Sequence, residues 1–507
     1  MPETRPPAPG APRLLLLNAV FPGLGHLAAG RVRWALVLAA PMLVLLGAGT
    51  LVALTSNSVA LAARAFDPAV LTALVVVQLL VLGWRLLALG AVRLVTPLRA
   101  TATTVVAAAA ALTIVVGPQL WLAGLTLDAR DAATEVFAPV DGGGAWVPDA
   151  TAPPVESDDP DFATQSPDAS PDASPSATPS PSPTPEVPRV NVLLIGMDSG
   201  VGRNTALTDT MIVASLDPVG RTVSMASIPR DMVDVPLPDG RKFRGKINSL
   251  VSYVRWHPKK FPGAKDGQSV LAAAIGTLLQ TRIDYWAQVN LPGFVSLVDS
   301  VGGVVVNVTD GFCDPRYDEY GVDGFGVGTG RYRMNGREAL AYARVRKAAG
   351  ESDFTRAARQ QEVIAALRDR IVKGAFLDNP ARFLRSLGQT ISTNIRPGLI
   401  ADYVEIASGI ARKDTFRTVI RHPLVKSGYD ERGSIQIPQV ERIRAMAARL
   451  FTPSGVRPEG FETMPSAGDG PTKNAASSND CGVKATPKPT PRPTAKPTAA
   501  PPATPDP

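Results

Sequence analysis

The chain has 507 residues, 52 Lys and Arg against 45 Asp and Glu, and a net charge of +7. It is too long for one ordinary domain and only modestly basic, and no zinc-finger spacing, aromatic–basic motif or long cationic run marks it as a nucleic-acid binder. Three histidines (His26, His257, His422) without a His-Glu-x-x-His pair argue against a zinc hydrolase, and the lack of a Gly-x-Ser-x-Gly elbow argues against a Ser-His-Asp enzyme.

The N-terminal portion reads as membrane material. Residues 1–33 form a cytoplasmic N-terminus in which Leu14 to Gly30, broken by Pro22, Gly23 and Gly25, reads as an interfacial or re-entrant piece. Residues 34–125 hold three apolar runs, about 34–54, 69–92 and 101–125. Each is long enough for a hydrocarbon core of about 30 Å, which takes roughly 20 helical residues. Arg85 sits near the end of its run, where a long side chain snorkels toward headgroups. Arg5, Arg13, Arg31 and Arg33 precede the first run, and Arg93 and Arg99 separate the second from the third. The positive-inside rule therefore predicts a multi-pass membrane protein with a cytoplasmic N-terminus and everything after residue 125 outside the cytoplasm.

Residues 138–187 are a Pro/Ser/Thr-rich linker with almost no apolar residues to offset chain entropy, expected to be disordered and to reach roughly 40 Å as a coil. Residues 188–452 pattern as one globular domain. Strands are expected at 190–196, 209–216, 222–228, 285–290 and 304–308, and helices at 268–279, 292–301, 337–341 and 353–372. A short strand is expected at 342–346, and two or three further helices reach Phe451. The fold class is α/β, a mixed β-sheet flanked by helices. Residues 464–507 read as a disordered Pro/Thr/Lys tail. The two lone cysteines, Cys313 and Cys481, are expected to stay unpaired.

Within the globular domain, arginines and aspartates recur between Asp198 and Gln360. The pieces are Ile195-Gly196-Met197-Asp198, Asp209-Thr210, Ser227-Ile228-Pro229-Arg230-Asp231, Lys246-Ile247-Asn248, Arg344-Val345-Arg346 and Asp353-Phe354-Thr355-Arg356-Ala357-Ala358-Arg359-Gln360. Taken singly, each has an ordinary explanation: a turn cap, a surface ion pair, edge residues of a strand, a solvated helix face. Together they combine guanidinium forks, which fit phosphate oxygens, with carboxylates able to hold a hard cation. Asp198 and Asp209 lie at the two mouths of one loop, Lys246 and Asn248 alternate on one expected strand face, and Arg344 and Arg346 share a side if extended. That combination points to phosphoryl transfer.

These motifs, with Gly293-Phe294 and Val298-Asp299-Ser300-Val301-Gly302-Gly303-Val304, make the stretch of about 190–375 resemble the LytR-CpsA-Psr family of cell-wall glycopolymer transferases. The resemblance implies a membrane-anchored, extracytoplasmic phosphotransferase that moves a glycopolymer from a polyprenyl-pyrophosphate carrier onto peptidoglycan. It implies Asp198 and Asp209 as ligands of Mg²⁺, or of Mn²⁺ in its place. Arg230, Arg344, Arg346, Arg356 and Gln360 would grip the pyrophosphate, with Lys246, Asn248 and Arg359 close by and Asp231 and Asp353 orienting arginines. Many members carry an arginine where this chain has Leu207, and Arg203 in the same loop is the candidate replacement. The apolar space between sheet and helices is expected to admit the prenyl chain. A polyprenyl-pyrophosphate glycan pyrophosphatase and a non-catalytic tether for lipid-linked wall polymer are the alternative functions.

Overall fold

The computed structural model describes residues 10–55, 61, 64, 67–136, 145–148, 160–164, 189–198, 207–378, 382–383, 386, 391–468 and 471–474. Arg203, Cys481, most of the linker and most of the tail lie outside the described residues.

Two short helices, α1 (Ala11–Val20) and α2 (Leu24–Ala28), precede three long ones, α3 (Val32–Thr55), α4 (Pro68–Gly90) and α5 (Ala102–Val136). Each long helix contains a stretch apolar and long enough to cross a membrane, and α5 runs well past the end expected for its span. The broken segment ahead of them is a folded hairpin. Asn18 Oδ1 accepts from the amides of Gly23 and Gly25 at 3.1 and 2.9 Å, which satisfies backbone donors that the Pro-Gly interruption exposes. Arg85 Nη2 donates to the Ala19 carbonyl at 2.5 Å.

The globular domain is built on a seven-stranded mixed sheet. Its strands are β1 (Val190–Asp198), β2 (Leu207–Asp217), β3 (Thr222–Ser227), β4 (Tyr285–Asn290), β9 (Ile391–Thr393), β10 (Thr415–Val419) and β13 (Glu462–Thr463), in the order β9-β4-β1-β2-β3-β10-β13. β1–β2–β3 is an antiparallel meander, whereas β4 joins β1, and β10 joins β3, in parallel. Between β4 and β9 the chain builds β5 (Val304–Val308), β6 (Phe312–Glu319), β7 (Val322–Val327) and β8 (Gly330–Met334). β6–β7 and β5–β8 form antiparallel pairs with their own apolar cluster. A further hairpin pairs β11 (Val425–Asp430) with β12 (Gly433–Pro438), and Gln436 of β12 bridges Met232.

Alternation along β1 sends Leu193, Ile195 and Met197 to one face, under α6 (Leu250–Trp256), α7 (Gly267–Leu279) and α12 (Val440–Leu450). Helix α7, capped by Asp266, is buried over most of its surface. On the other face lies α10 (Asp353–Val372), whose N-terminus is closed by a Ser352–Thr355 capping box. Helices α8 (Leu291–Ser300), α9 (Gly336–Arg344) and α11 (Pro397–Ser408) complete this side.

Four expectations need correction. The strand expected at 342–346 is absent, because the Asn335–Glu338 capping box and an alanine-rich run carry α9 through to Arg344. Lys246 and Asn248 lie in a loop and a 3-10 turn, not on a strand. The linker and the tail are not wholly unstructured. Trp146 and Phe162, rare large apolar residues of the linker, are buried in the main core, and the tail contributes buried Met464 and a short strand, Lys473–Asn474, paired to β8. Cys313 is disulfide-bonded.

Candidate active site

The site begins with a break in the pleat. Gly196 pairs with Thr210 but Met197 pairs with Thr208, so Asp209 is the extra residue of a bulge in β2. A bulge lets successive residues face the same side, which a regular strand forbids, and both Asp209 and Thr210 line the cavity. Gly196 is required opposite them, since a Cβ there would stand 2.9 Å from the Thr210 Cβ. Asp198, two residues on, shares the Gly196 face at the end of β1.

Around these carboxylates the guanidiniums converge. Arg230 Nη1 donates to Asp209 Oδ1 at 2.9 Å. Arg344 reaches Asp198 Oδ2 at 3.6 Å and Asp209 Oδ2 at 3.7 Å, and holds Glu319 Oε2 through Nε at 2.8 Å. Arg356, only 6% exposed, meets Asp353 at 3.0 Å, and Gln360 Nε2 donates to the Ala343 carbonyl at 3.3 Å. Exposed Arg346 lines the same cavity.

Other expected site residues stand behind this group. Asp231 bridges Arg230 Nε at 3.5 Å and Lys246 Nζ at 2.8 Å. Asn248 is buried and supports the Arg230 loop through its amide, which donates to the Arg230 carbonyl at 3.2 Å. Arg359 departs most from expectation. It is buried, paired with Glu351, bonded to the Val345 carbonyl and stacked 4.3 Å over Phe312. Its contacts anchor the link between Arg344 and Arg346, and it is not among the residues lining the cavity.

The cavity has a volume of about 540 Å³, within the roughly 300–1,000 Å³ usual for ligand sites. Its chemistry changes along its length: arginines and carboxylates at one end, and Leu194, Val289, Phe294, Leu297, Val363 and Leu367 at the other. Burial lowers the Arg230 and Arg344 guanidinium pKa values, but attraction to Asp209 and Glu319 respectively outweighs it, and both sit above the ordinary arginine value. Arg356 is pushed down, first by burial and further by Arg230 and Arg346, against the pull of Asp353. Its Nε is buried with no hydrogen-bond partner among the described residues. An anion in the cavity would relieve both conditions.

Mg²⁺ commonly takes one or two carboxylates, completing its shell with water and phosphate oxygens. Asp198 and Asp209, brought to one guanidinium from paired strands, fit that donor set. No group of three or more Asp, Glu, His or Cys suited to a metal occurs among the described residues.

Sequence reasoning missed Glu319, along with Tyr317 and Asp314 of the same hairpin, which also line the cavity. The signal was present: Tyr320 and Gly321, with φ of 53° and 75°, form the two-residue turn between β6 and β7, a geometry that an x-Gly pair between extended runs favours.

The mixed sheet thus carries a cavity lined by arginines and carboxylates together with a set of apolar side chains. The LytR_cpsA_psr family model matches residues 163–443, more than half of the chain, and the chain belongs to that family. It is 32% identical over 239 residues to the polyisoprenyl-teichoic acid–peptidoglycan teichoic acid transferase TagU of Bacillus licheniformis, a match covering 47% of this chain and 69% of that protein. With TagU of Bacillus subtilis it shares 31% identity over 212 residues, 42% of this chain and 60% of the relative. The solved structure of B. subtilis TagV aligns over 52% of this chain and 97% of its own, at 25% identity and a TM-score of 0.41.

Proposed function

We propose that the protein is a membrane-anchored phosphotransferase that moves a glycopolymer from a polyprenyl-pyrophosphate carrier onto peptidoglycan on the outer side of the membrane. The observation that carries this reading is the two-ended cavity, with a cluster of arginines and carboxylates joined to an apolar chamber. The transferase names of the TagU relatives support it, and the arginine distribution among the N-terminal loops supports the orientation.

In this mechanism Arg230, Arg344, Arg346 and Arg356 bind the pyrophosphate oxygens, and Gln360 joins them from the same helix face as Arg356. Asp198 and Asp209 would hold Mg²⁺ or Mn²⁺, which when bound neutralises charge on the phosphates. Asp353 orients Arg356, while Asp231 orients Arg230 and Lys246. A peptidoglycan sugar hydroxyl attacks the sugar-side phosphorus. A new P–O bond forms, the bond to the bridging oxygen breaks, and polyprenyl phosphate leaves. The hydroxyl proton passes to a site carboxylate or to solvent. Catalysis here rests on positioning and charge neutralisation.

The test incubates the full chain in lipid nanodiscs with a prenyl-pyrophosphate glycan, with and without peptidoglycan, and quantifies prenyl phosphate and wall-bound glycan together. The reading requires both products to appear in equal amounts only when peptidoglycan is present. Equal release of prenyl phosphate without it would establish hydrolysis instead.

A further inference from the structure

We propose that Glu319 is a positioning residue that draws Arg344 away from Asp198 and Asp209 and so leaves those two carboxylates able to bind a divalent cation. This rests on the functional reading above and adds a residue and a role to it.

The geometry sets up a competition. The Arg344 guanidinium is within reach of three carboxylates, and its closest contact is Glu319, at 2.8 Å from Nε and 3.4 Å from Nη2. Asp198 and Asp209 stand farther off, at 3.6 and 3.7 Å. Asp209 Oδ1 already accepts from Arg230 at 2.9 Å, so Arg344 seated fully on Asp198 and Asp209 would take the remaining Asp209 oxygen and add a second positive charge where a cation must sit, a repulsion that is strong in a partly buried site. Glu319 supplies a two-point alternative partner.

Glu319 is placed for this task by the hairpin. It is the last residue of β6 and pairs with Val322, closing the tight turn at Tyr320-Gly321. Gly321 supplies one of the two positive φ angles at low cost, so the position of Glu319 is set by backbone geometry. Arg344 is fixed from its own side, being the last residue of α9. The next residue, Val345, is held by Arg359, and Gln360 bonds to Ala343. With both chains anchored, the guanidinium is the adjustable part. Glu319 is bonded to Arg344 at 2.8 Å and acts through it.

The experiment titrates Mn²⁺ into the full chain in nanodiscs without donor, following free Mn²⁺ by electron paramagnetic resonance. Glu319→Gln keeps the shape and removes the charge. It is expected to weaken Mn²⁺ binding about tenfold, a coupling typical of directly interacting groups. Glu319→Asp keeps the charge and is expected to retain most of the affinity. Glu319→Gln combined with Arg344→Gln is expected to bind as tightly as Arg344→Gln alone, because the competing guanidinium is gone. Unchanged affinity in Glu319→Gln, with wild type binding Mn²⁺, overturns this proposal and leaves the transferase reading standing. An equal loss in the presence and absence of Arg344 also overturns it, since Glu319 would then act independently. Wild-type protein that binds no Mn²⁺ at millimolar concentration overturns the proposal and the metal assignment together.

Discussion

The two faces of the central sheet are made from the same strands and do opposite things. On one face Leu193, Ile195, Met197, Met211 and Val213 meet α7 in a closed aliphatic core. On the other, Leu194 and Ile212 begin an apolar layer that opens into a cavity and ends among arginines and aspartates. The difference turns on a local event: one extra residue in β2 brings Asp209 beside Thr210 on the cavity side. Regular alternation makes the structural face, and its interruption makes the functional one.

If the two faces are separable, substitutions on each should fail differently. The largest effect is expected on the cavity face. Arg344→Ala should lower transfer turnover about 10²- to 10³-fold, the usual cost of losing a preorganised charge-stabilising donor, while cooperative unfolding is retained. Near-normal turnover in that variant would remove the arginine cluster from the mechanism. On the closed face, Ile275→Ala in α7 deletes a fully buried side chain and should cost about 2–5 kcal/mol in chemical denaturation. The fraction that remains folded should keep its turnover per molecule.

Asp217 sharpens the contrast at the far end of the same strands. Its side chain is inaccessible and accepts from the amides of Val219, Gly220 and Gly455, from Ser454 and from Arg189. Burial raises its pKa, but these donors together hold it below the ordinary carboxylate value. The stability it contributes is therefore present above about pH 4, the unfolded-state value, and is lost as pH falls through the depressed folded value. Asp217→Asn should cost about 1–3 kcal/mol at neutral pH and flatten the acid limb of a stability–pH curve without changing donor affinity. The smallest effect is expected among the apolar residues lining the cavity. Leu367→Trp should raise KM about tenfold for a long-chain prenyl donor, consistent with an overpacking cost of about 1–3 kcal/mol. It should leave a short-chain donor unaffected, and equal effects on both would argue against a lipid chamber.

Much of this division was legible in the sequence where periodicity is strong. The range 353–372 of α10, the boundaries of β4 and β5, and the start of β3 follow from apolar spacing and turn residues. So do the three long apolar helices. The site motifs were found because arginine and aspartate recur in separate segments, and Asp198, Asp209, Arg230, Arg344 and Arg356 do come together. Other parts depended on information that spacing does not carry. Whether Ala339–Ala343 continues a helix or starts a strand was decided by the Asn335–Glu338 capping box immediately upstream of the run. Arg359 carries the same chemistry as Arg356, three residues earlier, yet its helical position turns it to Glu351 and to Phe312 of the β6–β7 hairpin. Glu319 was missed because the β6–β7 hairpin is rich in charged residues and glycine, which masks its alternation.

The most direct test of the central claim measures glycan attached to peptidoglycan by the full chain in nanodiscs, from a prenyl-pyrophosphate donor, with Mg²⁺ or with chelator. The account predicts attachment that requires Mg²⁺ and falls at least a hundredfold in Arg344→Ala. Tight donor binding with no attached glycan under either condition would contradict it and leave the cavity a tether for lipid-linked polymer.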